Sequence, residues 1–190
     1  MKLILASKSK ERQRMFSYLG VSFEVDVSSV DERTIVEENP IKLVEKLAEL
    51  KADAIAEKHN DAIVVGGDTV GIFEGSLLHK PKTIDEARKI LKSLSNNTHS
   101  FVSGFCVINT KTGDKRTGHG TCEITFRDLS DTEIERFIAT GRPLELAGGY
   151  QIIGDVSELF IAKMNGSHSV CNGIAMDKII PILQEFGLDV

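Results

Sequence analysis

Ala62-Ile63-Val64-Val65-Gly66-Gly67-Asp68-Thr69-Val70 is an apolar run that meets a bare acid after two glycines. Unbroken apolar residues with β-branched members read as a strand buried on both faces, the signature of a parallel strand inside an α/β sheet. Ligands of such sheets bind in the crevice at the carboxyl edge, where glycines leave room for a ligand to approach. Asp68 stands at that edge. It reads either as a magnesium ligand or general base, or as a residue that caps the next turn.

Outward from this strand the same architecture recurs. Residues 2–6 are a short apolar run expected as a second buried strand, and from Lys10 the spacing changes to Arg12, Met15, Phe16 and Leu19, a helix ended by Gly20. Residues 21–27 alternate as a strand, and 28–39 read as a polar loop carrying Asp31 and Glu32. Pro40 suits a first helical turn, after which Leu43, Leu47, Leu50, Ala54 and Ile55 form one apolar face to about His59, with Lys51 on the adjoining face. Residues 71–78 read as a hairpin turning at Gly75-Ser76, and 85–94 as a helix. Strands are expected at 99–109 and 115–126, joined through Lys111-Thr112-Gly113-Asp114. Ser130 and Glu133 form a capping-box signature for a helix to about Thr140. A glycine-rich stretch runs from there to Ala162, and an apolar-faced helix over 173–186 closes the chain despite Pro181. Early crossovers and late hairpins predict an α/β sheet with a smaller second lobe.

Composition limits the partners. The chain has 190 residues, 41% hydrophobic, enough for a real core. Its 28 acids against 23 Lys plus Arg give a net charge of -5. No global cationic field draws it to nucleic acid or anionic lipid, and no basic stripe with interleaved aromatics appears. Cys106, Cys122 and Cys171 are an odd, widely spaced set, which favours reduced structural thiols over a disulfide framework or a zinc knuckle. No apolar run approaches the ~20 residues of a membrane span. Charge returns at Lys8, too soon for a signal peptide, so a cytoplasmic protein is expected.

Chemistry concentrates near the start. Ser7, Ser9, Lys10 and Arg12 surround a helix opening, where free N–H groups and the helix dipole favour an anion. An ordinary N-cap with a solvated basic face is the alternative, although Lys8, Lys10, Arg12 and Arg14 crowd an otherwise acidic chain. The Walker pattern of phosphate-binding loops is absent. Glu32 taken alone reads as surface. Paired with Asp68 it supplies two oxygen ligands from separate segments, which suits a magnesium ion completed by phosphate oxygens and water. Lys51 and Lys80 are single cations, and Pro81 rigidifies the loop of Lys80 where a leaving phosphate could use its charge. His99 and His79 lack metal-ligand spacing and read as structural or surface residues. Together the hydroxyls, cations and carboxylates point to phosphoanhydride chemistry.

The order of these segments resembles the Maf family of nucleoside triphosphate pyrophosphatases over nearly the whole chain. The resemblance is carried by Leu5-Ala6-Ser7-Lys8-Ser9 with Arg12, Val30-Asp31-Glu32, Lys51-Ala52, Gly66-Gly67-Asp68-Thr69-Val70 and Lys80-Pro81. It continues through His99, Ser103-Gly104, Phe126-Arg127-Asp128-Leu129-Ser130, Thr140-Gly141-Arg142-Pro143 and Ala147-Gly148-Gly149-Tyr150. It implies a mixed, twisted central sheet flanked by helices, in two lobes with a cleft, related in fold to inosine triphosphate pyrophosphatases. It also implies a single domain over 1–190, a homodimer, and cleavage between the α and β phosphates with magnesium or manganese. By the same resemblance Glu32 and Asp68 bind the metal and direct the attacking water, Lys51 and Lys80 assist catalysis, and Ser7, Ser9, Arg12, Thr69 and Gln151 hold the substrate.

Three segments depart from the family pattern. Glu11 replaces a usual basic residue, Glu145-Leu146-Ala147-Gly148 lacks a usual lysine at Leu146, and Gln151-Ile152-Ile153-Gly154 has isoleucine where a glutamine is common. These bear on base preference and motivate a competing class, a nucleotide-binding regulator of cell division without turnover. The joint presence of Glu32 and Asp68 favours the enzyme.

Overall fold

The computed structural model describes residues 1–150, 152 and 159–190. The chain divides into two compact units, the first formed by Met1–Thr69, Val102–Gly120 and Ser169–Val190, the second by Val70–Phe101 and Thr121–His168. Strands pair in the order β2-β1-β3-β5-β6-β7, with β4 added to β3. The expected mixed central sheet flanked by helices is present. The long strands β3 (Ala62–Phe73), β5 (Thr98–Asn109) and β6 (Lys115–Phe126) each run from one unit into the other.

In the first unit β1 (Lys2–Leu5) pairs in parallel with β3, Lys2 opposite Ala62 and Leu5 opposite Val65. Helix α1 (Lys10–Ser17) crosses to β2, which spans just Glu24–Val25 rather than the seven residues its alternation predicts. Helix α2 (Pro40–Ala56) is N-capped by Asn39 and opens with proline as expected, but its buried face is Val44, Leu47, Ala48, Lys51, Ala52 and Ile55. The predicted stripe through Leu43, Leu50 and Ala54 is therefore rotated, and Lys51 belongs to the core side.

The cause is the glycine pattern of the sheet beneath. A Cβ on Gly66 would lie 2.3 Å from the Ala48 carbonyl and 2.9 Å from the Ala52 Cβ. One on Gly104 would lie 2.3 Å from the Val44 carbonyl. Both are overlaps no side chain tolerates, so β3 and β5 must be bare where the backbone of α2 passes. Gly66 serves this helix, not a ligand's approach as the sequence suggests. Ala6, Ala48, Ala52, Val64 and Cys106 fill the thin layer between.

The second unit holds β4 (Ser76–Leu78), α3 (Ile84–Leu94), α4 (Asp131–Ile138) and β7 (Ile161–Gly166). Its hairpin turns through Glu74 (φ 49°) and Gly75 (φ 76°), one residue earlier than predicted, because both central positions of this turn need positive φ. The Ser130–Glu133 capping box is present. Strand β7 pairs antiparallel with β6, Cys122 opposite Gly166, and has no counterpart in the sequence reading. Its residues are exposed or half-exposed on both faces, so no alternation announces it. Short α5 (His168–Cys171) and α6 (Met176–Glu185) complete the first unit from Ser169 onward.

Cys106, Cys122 and Cys171 form no disulfide with one another, and Cys106 and Cys122 are buried. Burial pushes the Cys106 thiol up to about 12, which keeps it unreactive. No helix among the described residues is long and apolar enough to cross a membrane.

Candidate active site

The N-terminal loop after β1, the 28–34 segment, α2 and the middle of β3 converge on one cavity of about 400 Å³ in the first unit; β3 runs on to Phe73, so Asp68 neither ends the strand nor caps a turn as its sequence position suggests. Its wall includes Ser7, Ser9, Arg12, Glu32, Lys51 and Asp68, six of the nine residues singled out from sequence, together with Lys8.

Lys51 is the centre of its charge pattern. Projected from the buried face of α2, its ammonium donates to Asp68 Oδ1 at 2.7 Å and lies 3.2 Å from Glu32 Oε2. Two carboxylates from separate segments thus share one cation. Asp68 is mostly enclosed, with a side-chain exposure of 14%, whereas Glu32 is 54% exposed. The neighbouring acids Asp31 and Glu32 open the 3-10 turn Glu32–Thr34, Asp31 as its cap and Glu32 as its first residue. Asp31 caps that turn and takes two guanidinium hydrogen bonds from Arg33, which hold its carboxyl below the usual range, so it is committed locally. Glu32 is left to face Lys51.

The hydroxyls differ in what they have to offer. Ser7 Oγ accepts from the Ser9 backbone N–H at 3.2 Å and from an Arg12 terminal nitrogen at 3.1 Å. Both are donors, so the Ser7 proton is free to point into the cavity. Ser9 Oγ caps α1 by accepting from the Arg12 backbone N–H at 3.3 Å, and donates to Glu11 Oε2 at 3.1 Å. Its proton is already used. Arg12 is gripped by the Gly173 carbonyl (2.7 Å), Ser7 and Thr69 Oγ1 (3.4 Å). Burial pulls its guanidinium below the ordinary value, opposed by Asp68, Glu32 and Glu11.

Thr69 does not line the cavity; its hydroxyl meets Arg12 and Ser103. Lys80 lies exposed in the second unit, beside a buried Pro81. Gln151 and Ile153 lie outside the described residues. Sequence reasoning missed the supports of Arg12: Ser103, the carbonyl of Gly173, and that of Val170 behind Ser103. The signal at Gly173 is a glycine after Asn172, held at φ +94° where a side chain would be strained.

The donor set can be tested against a divalent metal. Three cations and two carboxylates line the wall, and bare carboxylates facing a triphosphate would repel it. Hard oxygen donors from two segments, open toward a wall of hydroxyls and cations, are what magnesium takes when phosphate and water fill its remaining positions. Among the described residues no group of three or more His, Cys, Asp or Glu forms a self-sufficient metal cage. The residues fit a metal that arrives with its substrate.

The family model described as Maf-like protein matches residues 2–186. The chain belongs to the Maf-like family. A Maf-like relative in Desulforamulus reducens, named dTTP/UTP pyrophosphatase, is 36% identical over 188 residues, covering 99% of this chain and 98% of its own. Another of that name in Alkaliphilus metalliredigens is 37% identical over 185 residues, covering 97% and 95%. Among solved structures, the Staphylococcus aureus Ham1 protein aligns at a TM-score of 0.44 and 19% identity, over 67% of this chain and 73% of its own.

Proposed function

We propose that this protein hydrolyses the α–β phosphoanhydride of a pyrimidine nucleoside triphosphate, releasing the monophosphate and pyrophosphate. The observation that carries this reading is the Lys51-centred pair of carboxylates facing a wall of hydroxyls and cations in one cavity. The substrate class rests on the relatives named dTTP/UTP pyrophosphatase.

The chemistry asks little covalent help of the protein. Displacement at phosphorus needs charge neutralised on the transferring and leaving oxygens and a water held in line. Ser7 donates its free proton to a phosphate oxygen, and Arg12 and Lys8 neutralise charge along the same wall. Lys51 orients Asp68, whose carboxylate takes the proton of the attacking water. The water oxygen bonds to phosphorus as the anhydride P–O bond breaks, and the electron pair leaves with the departing phosphate group. Magnesium or manganese held by Glu32 and Asp68 would supply Lewis acidity when bound. Ser9 can join only by releasing Glu11. By the family resemblance, Lys80 assists catalysis and Gln151 holds the substrate.

Pyrophosphate release from dTTP, UTP and a panel of common and modified triphosphates, with magnesium or manganese, tests the reading. Asp68→Asn should lower turnover by about 10³-fold or more, with nucleotide binding retained. Binding without pyrophosphate release by the wild type would favour the regulator instead.

A further inference from the structure

Behind the cavity wall, Thr69 and the buried Ser103 form a hydrogen-bonded relay that ends on Arg12. Thr69 Oγ1 lies 3.4 Å from Arg12 and 2.6 Å from Ser103 Oγ, and Ser103 Oγ lies 2.8 Å from the Val170 carbonyl. A carbonyl can only accept, so the Ser103 proton goes to Val170. Ser103 then has just lone pairs to offer Thr69, and Thr69 must donate to it. The Thr69 lone pairs are thereby turned toward Arg12, a donor without any accepting atom. The last member of the relay sets every proton in it.

Ser103 is fully buried on β5, so no solvent molecule can stand in for its hydroxyl. It holds no place on the cavity wall. The Gly173 carbonyl fixes the Nε edge of the guanidinium at 2.7 Å, and Ser7 and Thr69 fix its two terminal nitrogens. Each terminal nitrogen spends one N–H on these partners and keeps a second, and the side chain as a whole lines the cavity, in a plane these contacts determine.

We propose that Ser103 is a positioning residue for phosphate recognition: it orients Thr69, which locks the plane of the Arg12 guanidinium that faces the cavity. The inference rests on the triphosphate reading above. A serine that merely satisfies a buried carbonyl would matter to stability and not, selectively, to substrate.

The test is the kcat and KM of the full chain for UTP, or for the best substrate of the panel should UTP fail, in a cycle of Ser103→Ala against Arg12→Lys. Ser103→Ala should raise KM about tenfold with kcat within about twofold, the scale of a lost charge-assisted contact. Ser103→Thr, which keeps the hydroxyl, should restore KM to within about twofold. In the Arg12→Lys background, Ser103→Ala should have no further effect, because the fork it orients is gone. Thr69→Val, near-isosteric and leaving the Ser103–Val170 bond in place, should reproduce the KM change even if Ser103→Ala fails to fold. An unmoved KM in both variants, or additive effects in the cycle, overturns the positioning role while wild-type turnover leaves the activity standing. No release from any triphosphate by the wild type removes both readings together.

Discussion

Lys51 and His99 are two buried titratable side chains, one in each unit, 9% and 2% exposed. Lys51 sits on a helix face of Val44, Leu47, Ala48 and Ile55, yet two carboxylates meet its ammonium. His99 sits on β5 among the rings of Phe101, Phe126 and Tyr150, with Nε2 against the Tyr150 hydroxyl and Nδ1 buried without a hydrogen-bond partner among the described residues. Burial alone lowers the His99 pKa to about 4, since charging the ring puts protons on both nitrogens and the one on Nδ1 meets no acceptor among the described residues. Burial therefore does not decide the role of a polar group; its partners do. Carboxylates around Lys51 make a charged centre open to a cavity, and aromatic rings around His99 make a neutral member of a core.

The sharpest way to break that contrast is to give Lys51 an apolar surround in effect, by removing its charge. Lys51→Met keeps the stem in the α2 core but leaves Asp68 and Glu32 without their shared cation. It should lower kcat/KM about 10²- to 10³-fold, comparable to loss of a preorganised charge contact at a reacting phosphate. Wild-type kcat/KM in this variant would make the ion pair a structural ornament and put the two buried sites on the same footing.

The second effect is a stability change with pH. Neutral His99 in the native state and an ordinary histidine pKa near 6.5 in the unfolded chain mean that the unfolded state binds the extra proton between those values. The His99 contribution is thus complete above about pH 6.5 and is lost as pH falls toward 4, by up to about 3 kcal/mol. Urea midpoints measured from pH 7 to 4 should fall less steeply for His99→Gln than for the wild type. The difference between the two slopes isolates this ring from half-buried His59, from exposed His119 and from the carboxylates. Parallel slopes would mean that His99 charges freely in the native protein.

What the sequence disclosed follows the same division. Long-range packing on a bare strand was invisible: Gly66 and Gly104 are empty because α2 crosses there, and that crossing rotates Lys51 from the expected flank into the buried face. Local signals were legible, as with the Asn39-Pro40 helix start, the Ser130–Glu133 capping box and the β1 and β3 apolar runs. Signals that need two sites at once were not. Glu32 in a polar loop carries no mark of its meeting with Lys51, and β7 lacks alternation because neither of its faces is buried. The sequence offered most candidate residues from their local setting and added Thr69 and Gln151 by family resemblance, and it took the fold to sort hydroxyls that face the cavity with a free proton from hydroxyls already bonded.

That sorting yields the smallest of the effects. Ser7 and Ser9 line the same cavity, two residues apart, but the Ser7 proton is free while the Ser9 proton is donated to Glu11 Oε2 at 3.1 Å. A phosphate oxygen must therefore compete with the Glu11 carboxylate for Ser9, and the same carboxylate repels the phosphate at the first turn of α1. Glu11→Ala removes both obstacles and should lower the KM for UTP about three- to fivefold, about 0.6 to 1 kcal/mol of the kind expected for one partly exposed charge near a helix N-terminus. In a Ser9→Ala background the gain should shrink to the purely electrostatic part, which added salt then screens. A KM unmoved by Glu11→Ala would mean that Ser9 remains the cap of α1 with substrate bound, leaving Ser7 as the hydroxyl that meets phosphate.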